Sequence, residues 1–485
     1  MCRASICAAA TIGGYATPVR PWLPPLPALL GVDDLPSGES WERAVGVVDD
    51  PAHQCSRPLR WHPATGNLGL CGQLGSGVTS TAVAIVAETV LATDPAACHV
   101  YVVDGAGDTV WDAVAVSEHV AAIVRLDDTE RVWRLLARLA REVDRRSGAR
   151  HDGARVLLVI DGIDALRAAL TSLGLDDTLA DLARVLQSGP AMGITTCLTT
   201  DRVSTAAALP VAERWLFGAD VDGATSGAGA AARGASDRVP PGRLRVASCG
   251  LTAQVLAPGT RPVGTSKPGG RGGPRPLDVL PTHVPRAALP TSDRADATDV
   301  ELAVGIAADD LAPATILVPR GDHLFVGGTA RTGTTTALRT IVAGWRTCHP
   351  TGAVVDITPA GVGTLRGRLA DRPPDTPILL VVDDADRVDD VDGVLAAIAA
   401  GHDPHVMIAV AARLDAVRVA YGHWSRTVAR RRCGIVLTSA GEIDGELLGA
   451  LLPRRTVIPA RPGLGWVIDR RGHRLVQVAT ASTDR

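Results

Sequence analysis

Lysine is almost missing from this sequence of 485 residues: Lys267 is the single one, so every other fixed cation is an arginine. Aromatic side chains are scarce too, at 3% against 46% hydrophobic residues overall, so the interior must be built from Ala, Val, Leu and Ile. A surplus of either charge is also lacking. Lys and Arg number 49 and Asp and Glu 52, a net charge of −3, whereas chains that live on phosphate backbones carry a basic excess or stripe. Nucleic acid is therefore not the default partner. The nine cysteines never form a C-x-x-C pair, which excludes a disulfide frame or zinc knuckle and fits reduced cytosolic thiols. The twelve histidines show no H-x-x-x-H or H-E-x-x-H spacing, so no histidine metal site is expected. No apolar run reaches the roughly 18 residues that span a bilayer, and Ile6 to Ile12 is too brief for a signal segment. These absences predict a soluble, cytoplasmic protein that meets the inner membrane only through a partner.

What the sequence does contain is a long internal repeat. Ala44-Val45-Gly46-Val47 followed by Asp49-Asp50 recurs as Ala303-Val304-Gly305-Ile306 followed by Asp309-Asp310. Leu68-Gly69-Leu70 and Leu324-Phe325-Val326 each run into a Gly/Ser/Thr loop, and Val102-Val103-Asp104 matches Val354-Val355-Asp356. The longer runs Val156 to Asp161 and Ile378 to Asp383 both end on an acid. Strand patterns with a nearby arginine (Ile194 to Arg202; Val406 to Arg413) and closing Gln254-Val255 and Gln477-Val478 complete the set. Chance could supply one such match, but not all of them in order. Between the halves, Pro258 to Ala297 is dense in Pro and Gly and reads as linker, and Gly223 to Ala235 reads as a loop. The expected organisation is a lead-in 1–43, a first domain 44–257, a linker 258–297 and a second domain 298–485. Apolar runs without alternation mark strands buried on both faces, and amphipathic segments such as Val132 to Val143 lie between them. The fold class expected is therefore α/β with mainly parallel sheets.

The two loops carry the chemistry. Gly72-Gln73-Leu74-Gly75-Ser76-Gly77-Val78-Thr79-Ser80 and Gly328-Thr329-Ala330-Arg331-Thr332-Gly333-Thr334-Thr335-Thr336 keep both glycines and the hydroxyl of G-x-x-x-x-G-K-[ST]. Glycines let backbone N–H groups wrap an anion at the start of a helix. The lysine is replaced by Val78 in one loop and Thr334 in the other. A unit charge pair at about 4 Å with an effective dielectric near 20 is worth roughly 4 kcal/mol, about a thousandfold in affinity. Arg331 is the one cation within either loop, which favours the second for any surviving ATP with Mg²⁺. Thr79 and Thr335 stand where the Mg²⁺-holding hydroxyl belongs, with Asp161 and Asp383 as the partnering acids. Asp384 follows Asp383 as the residue that would orient attacking water, while Gly162 follows Asp161. The plain alternative is a glycine turn feeding a helix and an acid at a strand end. Asp164 and Asp386 read as helix-start caps. Arg430-Arg431-Arg432 reads as a solvated helix end, and Arg202 and Arg413 as γ-phosphate sensors or carboxylate partners.

The ordered motifs resemble the FtsK/SpoIIIE family, and within it the EccC-type coupling ATPases of type VII secretion. Trp22-Leu23-Pro24-Pro25-Leu26-Pro27, Gly46 to Pro51 with Gln54, and Gly66-Asn67 are similar to the lead-in of that family's second ATPase unit. Val159-Ile160-Asp161-Gly162 resembles that unit's degenerate acid motif. Gly305-Ile306, Asp309 to Pro313, Asp383-Asp384, Gly463-Leu464-Gly465, Arg470-Arg471-Gly472 and Val476 to Ala479 resemble the third. The resemblance implies two tandem RecA-like P-loop units that assemble in rings. It also implies a membrane-anchored ATPase subunit as partner and the C-terminal tails of small helical secretion substrates as cargo. The family's membrane helices and first ATPase unit have no counterpart in the sequence, and both lysines are gone, so docking with weak or lost hydrolysis is expected. A DNA-translocating ATPase, the other branch, is the competing expectation, and the net charge argues against it.

Overall fold

A computed structural model describes residues 12–14, 23–39, 41–107, 109–148, 153–218, 239–259, 273–289, 293–296, 298–373, 375–438, 442–453 and 455–481. Trp22, Lys267, the expected loop 223–235 and residues 260–272 of the expected linker lie outside the described residues. The chain divides into two compact units. The first is Met1–Asp128, Leu139–Ser172 and Asp176–Pro276, and the second is Thr129–Arg138, Leu173–Leu175 and Leu277–Arg485.

In the first unit the strands are β1 (Gly46–Asp50), β2 (Cys55–Leu59), β3 (Leu68–Cys71), β4 (Cys98–Asp104), β5 (Val120–Arg125), β6 (Arg155–Asp161), β7 (Ile194–Thr200), β8 (Glu213–Phe217), β9 (Arg243–Val246) and β10 (Thr252–Val255). They form one sheet in the order β2-β1-β10-β9-β8-β3-β7-β6-β4-β5. From β8 to β5 all neighbours are parallel, as expected of runs such as Val156–Ile160 that are buried on both faces. Helix α1 (Val78–Ala92) follows β3 and packs Ala82, Ile85 and Val86 into the core beneath it. Counting from β3, the six parallel strands run 6-1-5-4-2-3. The acid-bearing β6 is therefore separated from the loop-bearing β3 by β7, a gap of roughly 10 Å at about 4.8 Å per strand.

The second unit repeats the plan with β11 (Arg294–Ala295), β12 (Asp299–Ala307), β13 (Pro313–Pro319), β14 (Leu324–Gly328), β15 (Ala353–Asp356), β16 (Ile378–Val382), β17 (Val406–Arg413), β18 (Gly434–Leu437), β19 (Leu464–Asp469) and β20 (Gly472–Val478). The order is β11-β12-β20-β19-β18-β14-β17-β16-β15, with β13 on β12. Its parallel part, β18-β14-β17-β16-β15, is 5-1-4-3-2, the same arrangement without a counterpart of β5 among the described residues, and helix α2 (Thr334–Cys348) follows β14. The α/β fold with mainly parallel sheet cores is thus what the apolar runs predicted, and its use twice in tandem is what the resemblance implied.

An antiparallel wing extends each sheet, and it explains two halves of the repeat at once. The Ala-Val-Gly segment and the closing Gln-Val segment are cross-strand partners, with Gly46 opposite Val255 and Gly305 opposite Val478. A Cβ at Gly46 would run into the carbonyl oxygen of Gln254, and one at Gly305 into that of Gln477, so only glycine fits. The repeat also starts earlier than the motifs suggested. Ala257 N–H donates to Leu30 O and Thr480 N–H to Val284 O, each at 2.8 Å, so a Pro-rich strap lies on the wing of both units.

Candidate functional site

The two glycine loops sit at the C-terminal ends of β3 and β14, where open parallel sheets place their ligands. Gly77 and Gly333 immediately precede helices α1 and α2 with φ of 98° and 100°, a conformation that a side chain disfavours. Gly75 shares it at φ 80°, and so does Arg331 at φ 66°. A Cβ on Gly72 would meet Phe217 Cβ at 2.6 Å and Ser76 Oγ at 2.5 Å. One on Gly328 would run into Thr332 Oγ1. The close-wrapped loop geometry that the glycines predicted is present in both units.

A part of the cradle escaped the sequence. Gly242 N–H donates to Ser76 O (2.8 Å) and Gly463 N–H donates to Thr332 O (2.9 Å), so a Pro-Gly turn braces each loop. The turn is held in place by the closing glutamine. Gln254 donates to Pro241 O (2.9 Å) and accepts from Arg243 Nε (2.9 Å), while Gln477 donates to Pro462 O (3.0 Å) and accepts from Arg461 Nε (2.8 Å). Each arginine also donates to the strap, Arg243 to Leu26 O and Pro27 O and Arg461 to Leu280 O and Pro281 O. The recurrence of Pro-Gly before an antiparallel strand was the available signal.

In the first unit, Thr79 and Asp161 come together as expected: Thr79 Oγ1 donates to Asp161 Oδ1 at 3.1 Å, and Thr199 on β7 donates to the same oxygen at 2.6 Å. Asp161 is 4% exposed, and its Oδ2 and the Trp111 indole N–H beside it are buried without a hydrogen bond. Burial pushes the Asp161 carboxyl up, and the Thr199 and Thr79 hydroxyls offset part of that rise. Asp164 is not a helix-start cap. It accepts the hydroxyls of Thr200 and, at 2.6 Å, Thr205. Val78 belongs to the apolar core cluster, and Ser80 lines the cleft while Ser76 Oγ is buried without a partner. The cleft, of about 790 Å³, gathers Asp161, Asp164 and Asp201 but only the exposed Arg202, which lies 4.0 Å from Asp201.

In the second unit, Thr335, Asp383 and Asp384 line one cleft of about 960 Å³. Both acids are exposed just beyond β16, Asp384 at φ 48°, with its N–H donating to Asp383 Oδ1 and Arg387 3.8 Å from its carboxylate. Arg331 is exposed at the loop tip. The buried Thr332 donates its hydroxyl back to Thr329 O, and Thr334 and Thr336 form the first turn of α2. Asp386 accepts from Arg413 N–H in place of capping a helix, and Arg413 pairs with Asp415 at 2.7 Å, the carboxylate-partner alternative. Arg431 is pinned by Asp322 and by Ala399 and Gly401 carbonyls, so the Arg430–Arg432 run is tied into the fold rather than wholly solvated.

The residues therefore fit Mg²⁺ and the backbone cradle, through Thr79 with Asp161 and Thr335 with Asp383, but not the terminal phosphates. Val78 is turned into the core, and among the described residues the one cation that lines the first cleft is Arg202, 4.0 Å from Asp201. Bound Mg²⁺·ATP would supply an activated phosphoanhydride, and with the neutralising charge missing no hydrolytic step is derived from these groups.

No family model matches the chain. The ESX secretion system protein EccC of Geobacillus thermodenitrificans (strain NG80-2) is 24% identical over 202 residues, 38% of this chain and 13% of that protein's length. EssC ATPases 2 and 3 from Geobacillus thermodenitrificans superpose with a TM-score of 0.66 at 16% identity, covering 95% of this chain and 100% of theirs. The fold is that of the EccC/EssC ATPase 2 and 3 pair. ATPases 2 and 3 of Thermomonospora curvata EccC, solved in complex with a signal sequence peptide, give 0.67 at 20% identity over 95% and 99% of the two chains. The cytoplasmic domain of that type VII secretion ATPase gives 0.65 at 20%, over 96% of this chain and 65% of its own. In keeping with this EccC/EssC-type fold, no described helix is long and apolar enough to cross a membrane.

Proposed function

We propose that this chain is an ATPase-like component of a type VII secretion system. It recognises secreted substrates through their tails or couples them to a membrane-anchored ATPase subunit, and it works at the cytoplasmic side as part of an oligomer. Its two domains are 44–257 and 298–485, each preceded by its strap. The observation that carries the reading is the pairing of intact glycine cradles with the loss of both lysines, in a fold shared with EccC ATPases 2 and 3. The signal sequence peptide bound by the Thermomonospora curvata protein supports protein recognition as the retained task. Nucleotide, where it binds, is a structural ligand favoured at the second loop, with Arg331 at the phosphates and Thr335 and Asp383 at Mg²⁺.

Steady-state hydrolysis of Mg·ATP by the full chain tests this. The expected result is turnover far below the roughly 1–100 s⁻¹ typical of kinases, unchanged in Asp384→Ala. Turnover within that range, abolished by the substitution, would overturn it.

A further inference from the structure

The two units follow one plan and part company at one edge. In the first, 50 residues (105–154) connect β4 to β6, and they supply β5, which pairs in parallel with β4 from Val100↔Val120 to Asp104↔Arg125. In the second, 21 residues (357–377) connect β15 to β16, and among the described residues no strand pairs with the outer edge of β15. Ala353 N–H donates to Pro377 O (2.9 Å) and Ile357 N–H to Val381 O (2.8 Å), so by alternation Val354 and Asp356 turn their N–H groups outward. An unpaired edge of this kind is a template for another strand.

The surface beside that edge has been rebuilt to match. Leu338 and Val342 of α2 and Val354 of β15 line the 960 Å³ cleft, together with Arg339 and Arg346. These two arginines lie two turns apart on the helix, roughly 10 Å, and both are exposed. Neither forms an ion pair or hydrogen bond with another described residue. At the corresponding positions of α1 the first unit has Val83 and Val90, which pack on its core. The second unit thus exchanges two apolar contacts for two cations that have no partner among the described residues, at an edge where no described strand stands.

We propose that the second unit takes an extended segment of a partner protein as an added strand on β15, in the place that β5 fills in the first. Side chains of such a strand point alternately to the two faces of the sheet: the acidic ones turn to the α2 side and pair with Arg339 and Arg346, and the apolar ones turn to the opposite face, beside Val355. This deepens the protein-recognition reading above and rests on it.

Fluorescence anisotropy on the full chain with two labelled ten-residue peptides, one alternating valine and glutamate and one alternating valine and lysine, provides the test. The native chain should bind the glutamate peptide saturably and the lysine peptide not at all. Asp356→Pro, which removes an outward N–H and leaves the β15–β16 ladder, should weaken binding by about tenfold or more, as should Arg339→Glu with Arg346→Glu. The double variant should gain binding of the lysine peptide, a gain that unfolding cannot produce. No binding by the native chain, equal binding of both peptides, or affinities unchanged by both variants would overturn the proposal. Secretion substrates that bind the chain while neither peptide does would remove this site and leave cargo recognition standing.

Discussion

Asp161 sits where burial works against its charge. Its carboxyl ionises at higher pH folded than unfolded, because burial opposes the charge more than the Thr199 and Thr79 hydroxyls favour it. The folded state therefore holds the extra proton, and stability from this group falls as pH rises above the ordinary carboxylate range. Asp161→Asn is expected to raise stability at pH 7 by on the order of 1 kcal/mol, with the difference vanishing below about pH 4. A pH series of thermal melts checks this, and a variant less stable than the native chain at pH 7 would contradict it. Glu142 behaves in the opposite sense. Hydrogen bonds from Arg145 and then the buried Arg146 hold its carboxyl down at about 2. Its contribution is complete above the ordinary value of 4.5 and is lost as pH falls towards 2. Glu142→Gln should cost about 1 kcal/mol at pH 7, a figure reduced for solvent screening because Arg145 is exposed, and almost nothing at pH 2. Urea unfolding at the two pH values separates these outcomes.

Among elements, the closing glutamines bind wing, turn, strap and loop together. Gln477→Ala frees Pro462 O and Arg461 Nε, both part-buried, and should cost about 2 kcal/mol, read by urea unfolding, with a change under about 0.5 kcal/mol contradicting the role. Gly305→Ala should cost about 3 kcal/mol or prevent folding, since the new Cβ meets backbone and the strand cannot yield without losing its pairing with β20. The parallel strands, the glycine loops and the acids at strand ends were legible because each is written in consecutive residues. The Pro-Gly turns were not, because Gly242 is 166 residues from Ser76 and only the folded wing brings them together. Nor were the hydroxyl partners of Asp161 and Asp164. A threonine on β7 looks like any β-branched strand residue until the sheet order sets it between the acid and the loop. Composition assigned 277–289 to a linker because Pro-rich chain is equally at home in a strap that packs on a wing.

At the scale of the whole molecule, one plan is used twice, and the loop lysine is replaced in both copies, in different settings. The first unit buries Val78, tethers its acids with hydroxyls and leaves its cleft with three carboxylates around one exposed guanidinium. The second keeps the Asp383-Asp384 pair and Arg331 but has Thr334 in place of the ammonium group. Calorimetric titration of the full chain with Mg·ATP, beside a Val78→Lys, Thr334→Lys double variant, reads the central claim directly. The account predicts weak or undetectable binding to the native chain, and affinity higher by up to about a thousandfold once the charges return. Tight binding by the native chain that the two lysines leave unchanged would contradict it.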